Sequence, residues 1–219
     1  MTIGTLPNGS RGLDANRALS ASDAAAFAAK GFTFVVRYVR RSQAHSYDLT
    51  ATETAAILGA GLGLMVVQHV APEGWTPCGD DGALYGNTAA REALAAGYRS
   101  GTTLWCDLEG VAASTPPGDV IDFCNEWYEA AKAMGFVPGL YVGDCCGLTA
   151  GLLYHALKFS LFWSAYNLNH DQYPAVRGVA MKQAAAARED FLSGFTNQNM
   201  DVDVISADAL GGTPALVLP

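Results

Sequence analysis

Four times along the chain, an alanine-rich helical stretch runs into a glycine and then directly into a short apolar run. The junctions are Lys30-Gly31-Phe32, Ala60-Gly61-Leu62, Ser100-Gly101-Thr102 and Met134-Gly135-Phe136. Glycine just past a helix end is the expected left-handed cap, and here a strand follows at once. Helices alternating with apolar strands at this spacing imply a parallel α/β sheet.

In order, the pattern predicts a strand at Arg11-Gly12-Leu13-Asp14 and a helix capped by Ser20 or Ser22 that reaches about Lys30. Strands follow over residues 32–39 and 63–69, with Thr50-Ala51-Thr52-Glu53 between them reading as a capping box. Residues 71–85, rich in Pro, Gly and Asp, read as a long loop carrying Trp75, and Asn87 as the cap of a helix ending near Tyr98. A fourth strand occupies 101–110, and an amphipathic helix covers about 118–134 with proline in its first turn. Strands over 137–142, 161–166, 178–183 and 200–205 complete the set, with a helix near 148–158 and a weak one before the last strand. Eight strands in 219 residues fit a small (β/α)8, TIM-like barrel. A doubly wound open sheet is the alternative, but no Gly-x-Gly-x-x-Gly or Gly-x-x-x-x-Gly-Lys follows any strand. One domain is expected over 1–219, with its core at about 10–210.

The fourth strand ends in Asp107-Leu108-Glu109. Successive side chains in a strand point to opposite faces, so both acids share a face with Thr103 and Trp105, while Leu104, Cys106 and Leu108 face the helices. Two acids at the end of a buried strand are costly to desolvate without a role. In a barrel, chemistry sits at the carboxyl ends of the strands. Those ends here supply Asp14, Arg37-Tyr38, Gln68-His69, Asp107 with Glu109, Tyr141, Tyr166, Gln183, and Asp201 with Asp203. Glycoside cleavage needs such an inventory: one carboxyl protonates the leaving oxygen while another stabilises or attacks the cationic sugar carbon. Neighbouring carboxylates raise one another's pKa, so one can stay protonated near neutrality. Trp75, Trp105, Trp163, Tyr38 and Tyr166 are candidates to stack on sugar rings.

A net charge of −8 argues against a nucleic-acid partner. No apolar run approaches the ~18 residues a membrane helix needs, so no membrane insertion is expected. The first residues lack a basic segment followed by an apolar run, so the chain is expected to be made in the cytoplasm without a signal peptide. Cys78, Cys106, Cys124, Cys145 and Cys146 form no Cys-x-x-Cys, and the histidines His45, His69, His155 and His170 show no paired metal spacing. Neither a metal nor another cofactor is expected.

Asp14, Asp107-x-Glu109, Lys182-Gln183 and Asp201-x-Asp203, in this order on strands one, four, seven and eight, resemble the pattern of family 25 glycoside hydrolases, the Chalaropsis-type lysozymes. The nearer resemblance is to the related Rv2525c-like, glycoside-hydrolase-like domain (DUF1906), through Gly12-Leu13-Asp14, Gly31-Phe32-Thr33-Phe34-Val35-Val36-Arg37-Tyr38 and the closing Asp-Val-Asp-Val. It covers about residues 10 to 210. The resemblance implies hydrolysis of the β-1,4 bond between N-acetylmuramic acid and N-acetylglucosamine, with peptidoglycan as partner. By motif match Glu109 is the general acid/base. Asp107 orients the substrate's acetamido group or stabilises the cation, and Asp14 and Asp201 hold the sugar and tune Glu109. Asp203 stands where family 25 usually has Asn, and Ala184-Ala185-Ala186-Ala187 follows Gln183 where those lysozymes tend to have an aromatic residue. Substrate-binding candidates are Asp203, Arg37, Tyr38, Gln68, His69, Trp75, Tyr141, Tyr166 and Gln183.

Three classes of function remain open at this point. The first is a peptidoglycan glycosidase, such as a phage endolysin or a cell-wall-targeting effector exported by a holin or a secretion machine. The others are a carbohydrate-binding barrel without turnover and a metal-assisted barrel hydrolase.

Overall fold

A computed structural model describes residues 1–168, 170–172, 178–184 and 200–219. Eight strands close into a barrel: β2 (Arg11–Ala15), β3 (Phe34–Val39), β4 (Gly63–Gln68), β5 (Thr103–Leu108), β6 (Val137–Val142), β7 (Leu161–Ser164), β8 (Met181–Gln183) and β9 (Met200–Ile205). β2 through β8 run parallel to their neighbours, and a β4–β5 pairing at Val66↔Leu104 and Val67↔Trp105 joins the flanks of the sheet. β9 closes the ring antiparallel to both β8 and β2. Helices α1 (Ala21–Ala29), α2 (Ala51–Gly59), α3 (Gly79–Ala95), α4 (Pro117–Ala133) and α5 (Ala150–His155) connect successive parallel strands. The weak helix expected before the last strand falls at 185–199, outside the described residues.

The two-residue strand period sorts side chains into two cores. Phe34, Val36, Met65, Val67, Trp105, Leu161, Trp163 and Met181 fill the barrel. Leu13, Val35, Val66, Leu104, Cys106, Leu108 and Leu140 face outward onto Phe27, Ile57, Phe123 and Trp127 of the helices. A doubly wound sheet would leave two unpaired edges, whereas these strands form a closed ring.

Local chemistry explains the element ends. Ser20 and Asp23 form a reciprocal capping box on α1. Thr50 accepts from the Glu53 backbone N–H at the start of α2, but the Glu53 carboxylate reaches other partners, so the box expected there is only half formed. Left-handed glycines Gly31, Gly61 and Gly135 follow α1, α2 and α4, at φ +85°, +86° and +86°. After α3 that role belongs to Gly97, and Gly101 turns the chain into β5.

The long loop expected over 71–85 is shorter, because α3 begins at Gly79 and Asn87 lies within it. Its glycines serve close packing instead of turns. A Cβ on Gly82 would lie 2.2 Å from the Phe123 carbonyl oxygen and one on Gly86 2.6 Å from that of Trp127. Helices α3 and α4 therefore approach backbone to backbone.

Both chain ends are also ordered, outside the expected core of 10–210. β1 (Thr2–Gly4) pairs antiparallel with β10 (Leu216–Leu218), and Val217 pairs with Leu64 of β4. Thr103 N–H donates to the Ala215 carbonyl and the Ala215 N–H to Thr103 Oγ1, at 2.7 and 3.0 Å. β10 is thus wedged between β4 and β5 at the base, where those two strands diverge. Among the described residues, no helix is long and apolar enough to cross a membrane.

Candidate active site

At the mouth of the barrel, opposite the β1–β10 wedge, Asp14, Tyr38, Asp107, Glu109, Tyr141, Tyr166, Gln183 and Asp201 line one cavity of about 220 Å³, together with Asn167. Of the parallel strands, β2, β3, β5, β6 and β8 contribute at their carboxyl ends, and Tyr166 and Asn167 follow β7. β9 runs the other way, so Asp201 reaches the mouth from the amino end of its strand, directly opposite Asp14. The same reversal corrects the expectation for Asp203. It pairs with Gly12, one layer deeper, where it is fully buried and accepts from Trp163 Nε1 at 3.0 Å.

Polar side chains fix the floor. Tyr38 donates its hydroxyl proton to Asp14 Oδ1 at 2.9 Å, and Gln183 Nε2 donates to Asp14 Oδ2 at 3.1 Å. Tyr141 donates to Gln183 Oε1 at 3.2 Å. Gln183 therefore receives from one side of the barrel and gives to the other, which locks its amide orientation. Trp105 and Trp163, candidates for sugar stacking, are packed edge to face below this layer and are 0% and 1% exposed.

The carboxyls hold protons unusually well. Burial, then the facing Asp201 charge, pushes Asp14 up to about 7, with hydrogen bonds from Gln183, Tyr38 and Asp203 acting the other way. Burial and the neighbouring Glu109 raise Asp107 well above the usual carboxylate range. Its Oδ1 is buried with no hydrogen-bond partner among the described residues, which also disfavours the charged form. Burial and Asp144 raise Glu109, and burial with Asp14 and Asp201 raises Asp203. Tyr38 and Tyr141, buried among these acids, are held well above their ordinary value and stay hydrogen-bond donors.

Other sequence candidates lie elsewhere. Arg37 has the parity of Val35 and Val39, so it points into the helix layer. There it is 0% exposed and bonds Glu53 at 2.6 Å, the Tyr47 carbonyl at 2.7 Å and the Ala15 carbonyl. Gln68 shares the parity of Val66 and is consumed by Trp127 Nε1, the Tyr85 carbonyl and the Arg40 carbonyl. Trp75 donates to the Glu109 carbonyl at 2.8 Å and packs edge-on against Phe123, behind the site. His69 stacks on the outer side of Tyr38 and bonds Asp48 at 2.7 Å. Its burial lowers the imidazole pKa, opposed by Asp48.

Three residues of the site escaped the sequence reading. Asn167 lines the cavity of the four acids. Asp144, two residues past β6, lines a second cavity of about 300 Å³ with Glu73, Gly110, Cys145 and Glu109, which belongs to both. Arg41 braces the strand ends, donating to the His69 and Asp107 carbonyls at 2.7 and 2.8 Å. Its guanidinium lies over Trp75 at 4.9 Å and Tyr85 at 5.3 Å. A carboxylate two residues beyond a strand and an arginine just after one were readable signals. Among the described residues, no group of three or more His, Cys, Asp or Glu is placed to hold a metal ion.

The profile of the Rv2525c-like, glycoside hydrolase-like domain matches residues 25–204. The chain belongs to this family. The Mycobacterium tuberculosis Tat-secreted protein Rv2525c shares its fold, with a TM-score of 0.64 at 15% identity over 90% of this chain and 95% of that one. A lysozyme from Streptomyces coelicolor superposes with a TM-score of 0.59 at 15% identity, over 92% and 94% of the two chains. The catalytic domain of endolysin ply40 from bacteriophage P40 of Listeria monocytogenes gives 0.58 at 19%, over 91% and 94%. No curated protein matches the sequence. At these identities the Rv2525c-like family and the lysozymes share a barrel with this chain, and the chemistry has to be argued from its own residues.

Proposed function

We propose that this Rv2525c-like domain is a peptidoglycan glycosidase of the lysozyme or muramidase type, with Glu109 as its general acid/base. The observation that carries this reading is the convergence of Asp14, Asp107, Glu109 and Asp201 on one cavity. Glycosidic cleavage needs a carboxyl that is protonated near neutrality beside groups that stabilise positive charge at the anomeric carbon. Glu109 is raised towards that state and is the less buried member of the Asp107–Glu109 pair. It gives its proton to the leaving oxygen as the bond to the anomeric carbon breaks, then takes a proton from the water that attacks that carbon. Asp107 orients the acetamido group or offsets the cationic charge. Asp14 and Asp201 hold sugar hydroxyls, with Tyr38, Tyr141, Tyr166, Asn167 and Gln183 completing the wall. The peptidoglycan assignment is supported by the lysozyme and endolysin catalytic domains that share the fold. The site of action would then be the cell wall.

Release of new reducing ends from purified peptidoglycan tests this, with wild type compared to Glu109→Gln in the presence and absence of a chelator. Release that survives chelation and falls by about 10²–10⁴-fold in the variant is expected. Wild type that binds the wall but releases nothing would leave a carbohydrate-binding barrel.

A further inference from the structure

The Glu109 side chain lies flat against the chain at Gly143. A Cβ on residue 143 would sit 2.2 Å from Glu109 Oε2 and 2.4 Å from Glu109 Cβ, far inside contact distance. The φ of Gly143 is outside the left-handed region, so it is the space taken by Glu109, and not backbone strain, that excludes a larger residue there. Main-chain bonds hold the two segments together: Gly143 N–H donates to the Leu108 carbonyl at 3.0 Å, and Gly110 N–H to the Asp144 carbonyl at 2.9 Å. They carry the β5–β6 ladder past its last strand pair, Leu108↔Val142. On the far side, the Trp75 indole clamps the Glu109 carbonyl.

We propose that Gly143 and Asp144 are positioning residues for Glu109: the bare backbone at 143 seats its carboxyl, and the Asp144 carboxylate shares the adjoining cavity with it. The inference rests on the assignment of Glu109 as the acid and adds what aims and tunes it.

The surroundings of Glu109 single out Asp144. Asp107 lies on the same strand, Tyr141 on β6, Glu73 across Gly110, Cys145 in the shared cavity, and Asp14 and Asp201 across the mouth. Burial and the neighbouring acids raise Asp107 and Tyr141 above their ordinary values, and neither is among the charges that raise Glu109. Asp144 is half-buried, and it is the charge that acts on Glu109, in the same direction as burial. A nearby negative charge disfavours ionisation, so Asp144 helps Glu109 keep the proton it must donate.

The test is ¹³C-carboxyl NMR titration of Glu109 in the full chain, beside the pH profile of reducing-end release. D144N removes the charge at constant shape. It should move the Glu109 midpoint, and the alkaline limb of the profile with it, to lower pH, and D144E should restore both. In G143A the Glu109 resonance should shift and kcat fall by at least tenfold, with KM much less affected. An unchanged Glu109 midpoint in D144N, or full-rate G143A with an unmoved resonance, overturns the proposal. A midpoint that moves in a protein releasing no reducing ends would sink the glycosidase reading while upholding the role of Asp144.

Discussion

Asp14 and Asp201 stand opposite each other on the antiparallel strands β2 and β9, and both face the same cavity. Two like charges so placed cannot both ionise cheaply, and the folded protein keeps a proton that the unfolded chain gives up. Asp14 is pushed up to about 7 from an ordinary 3.8. A raised carboxyl contributes stability that is complete below the unfolded value and drains away as pH rises towards the folded one. Asp14→Asn is uncharged at every pH, can keep the Gln183 bond through its oxygen, and can offer its NH₂ to Tyr38. It should therefore raise Tm at pH 8, with the gain shrinking by pH 5. Calorimetric scans across that range check this, and a gain independent of pH would refute it.

Tyr38→Phe removes the hydroxyl that donates to Asp14. The bond favours the ionised carboxylate, so Asp14 should hold its proton to higher pH in the variant. Loss of the bond should also cost about 1 kcal/mol. Carboxyl NMR and urea unfolding read the two effects separately. An Asp14 midpoint that stays put or falls would contradict the hydrogen-bond assignment.

Arg37 and Glu53 form an ion pair in the helix layer, 0% and 6% exposed. Arg37→Met leaves the Glu53 charge uncompensated and should cost about 3–5 kcal/mol in urea unfolding, while Arg37→Met with Glu53→Met should recover most of it. Substrate affinity of the folded fraction should be unaltered. A KM rise without loss of stability would return Arg37 to the site.

Glycines in the two packed helices should respond with opposite signs. Gly82→Ala drives a methyl into the Phe123 carbonyl and should destabilise by at least ~1–3 kcal/mol. Gly118→Ala meets nothing within 4 Å in the first turn of α4 and should stabilise by about 0.4–1 kcal/mol. Denaturant midpoints for both settle the point, and a Gly82→Ala that is not destabilised would disprove close α3–α4 contact.

The barrel was legible because its punctuation was strong: capped helices, glycines and apolar runs recur at one spacing. The direction of the last strand was not, since Met200–Ile205 reads the same either way and direction depends on the preceding connection. That is why Asp203 was expected at the mouth. Strand parity was legible at Asp107 and Glu109. Extended to Arg37 and Gln68, it would have turned both outward, since each alternates with residues that line the barrel. Composition misled at 71–85, where glycines that permit helix contact look identical to glycines that turn loops. The terminal strands escaped because three-residue runs carry almost no periodic signal.

The β10 wedge constrains how the molecule can be assembled. Ala215 meets Thr103, 112 residues upstream, and among the described residues no other strand fills the base of the β4–β5 seam. While a ribosome is still making residues 200–215, that seam remains an open sheet edge with unsatisfied backbone groups. Closure between segments so distant in sequence makes the nascent barrel slow to complete and exposed to mispairing until β10 emerges.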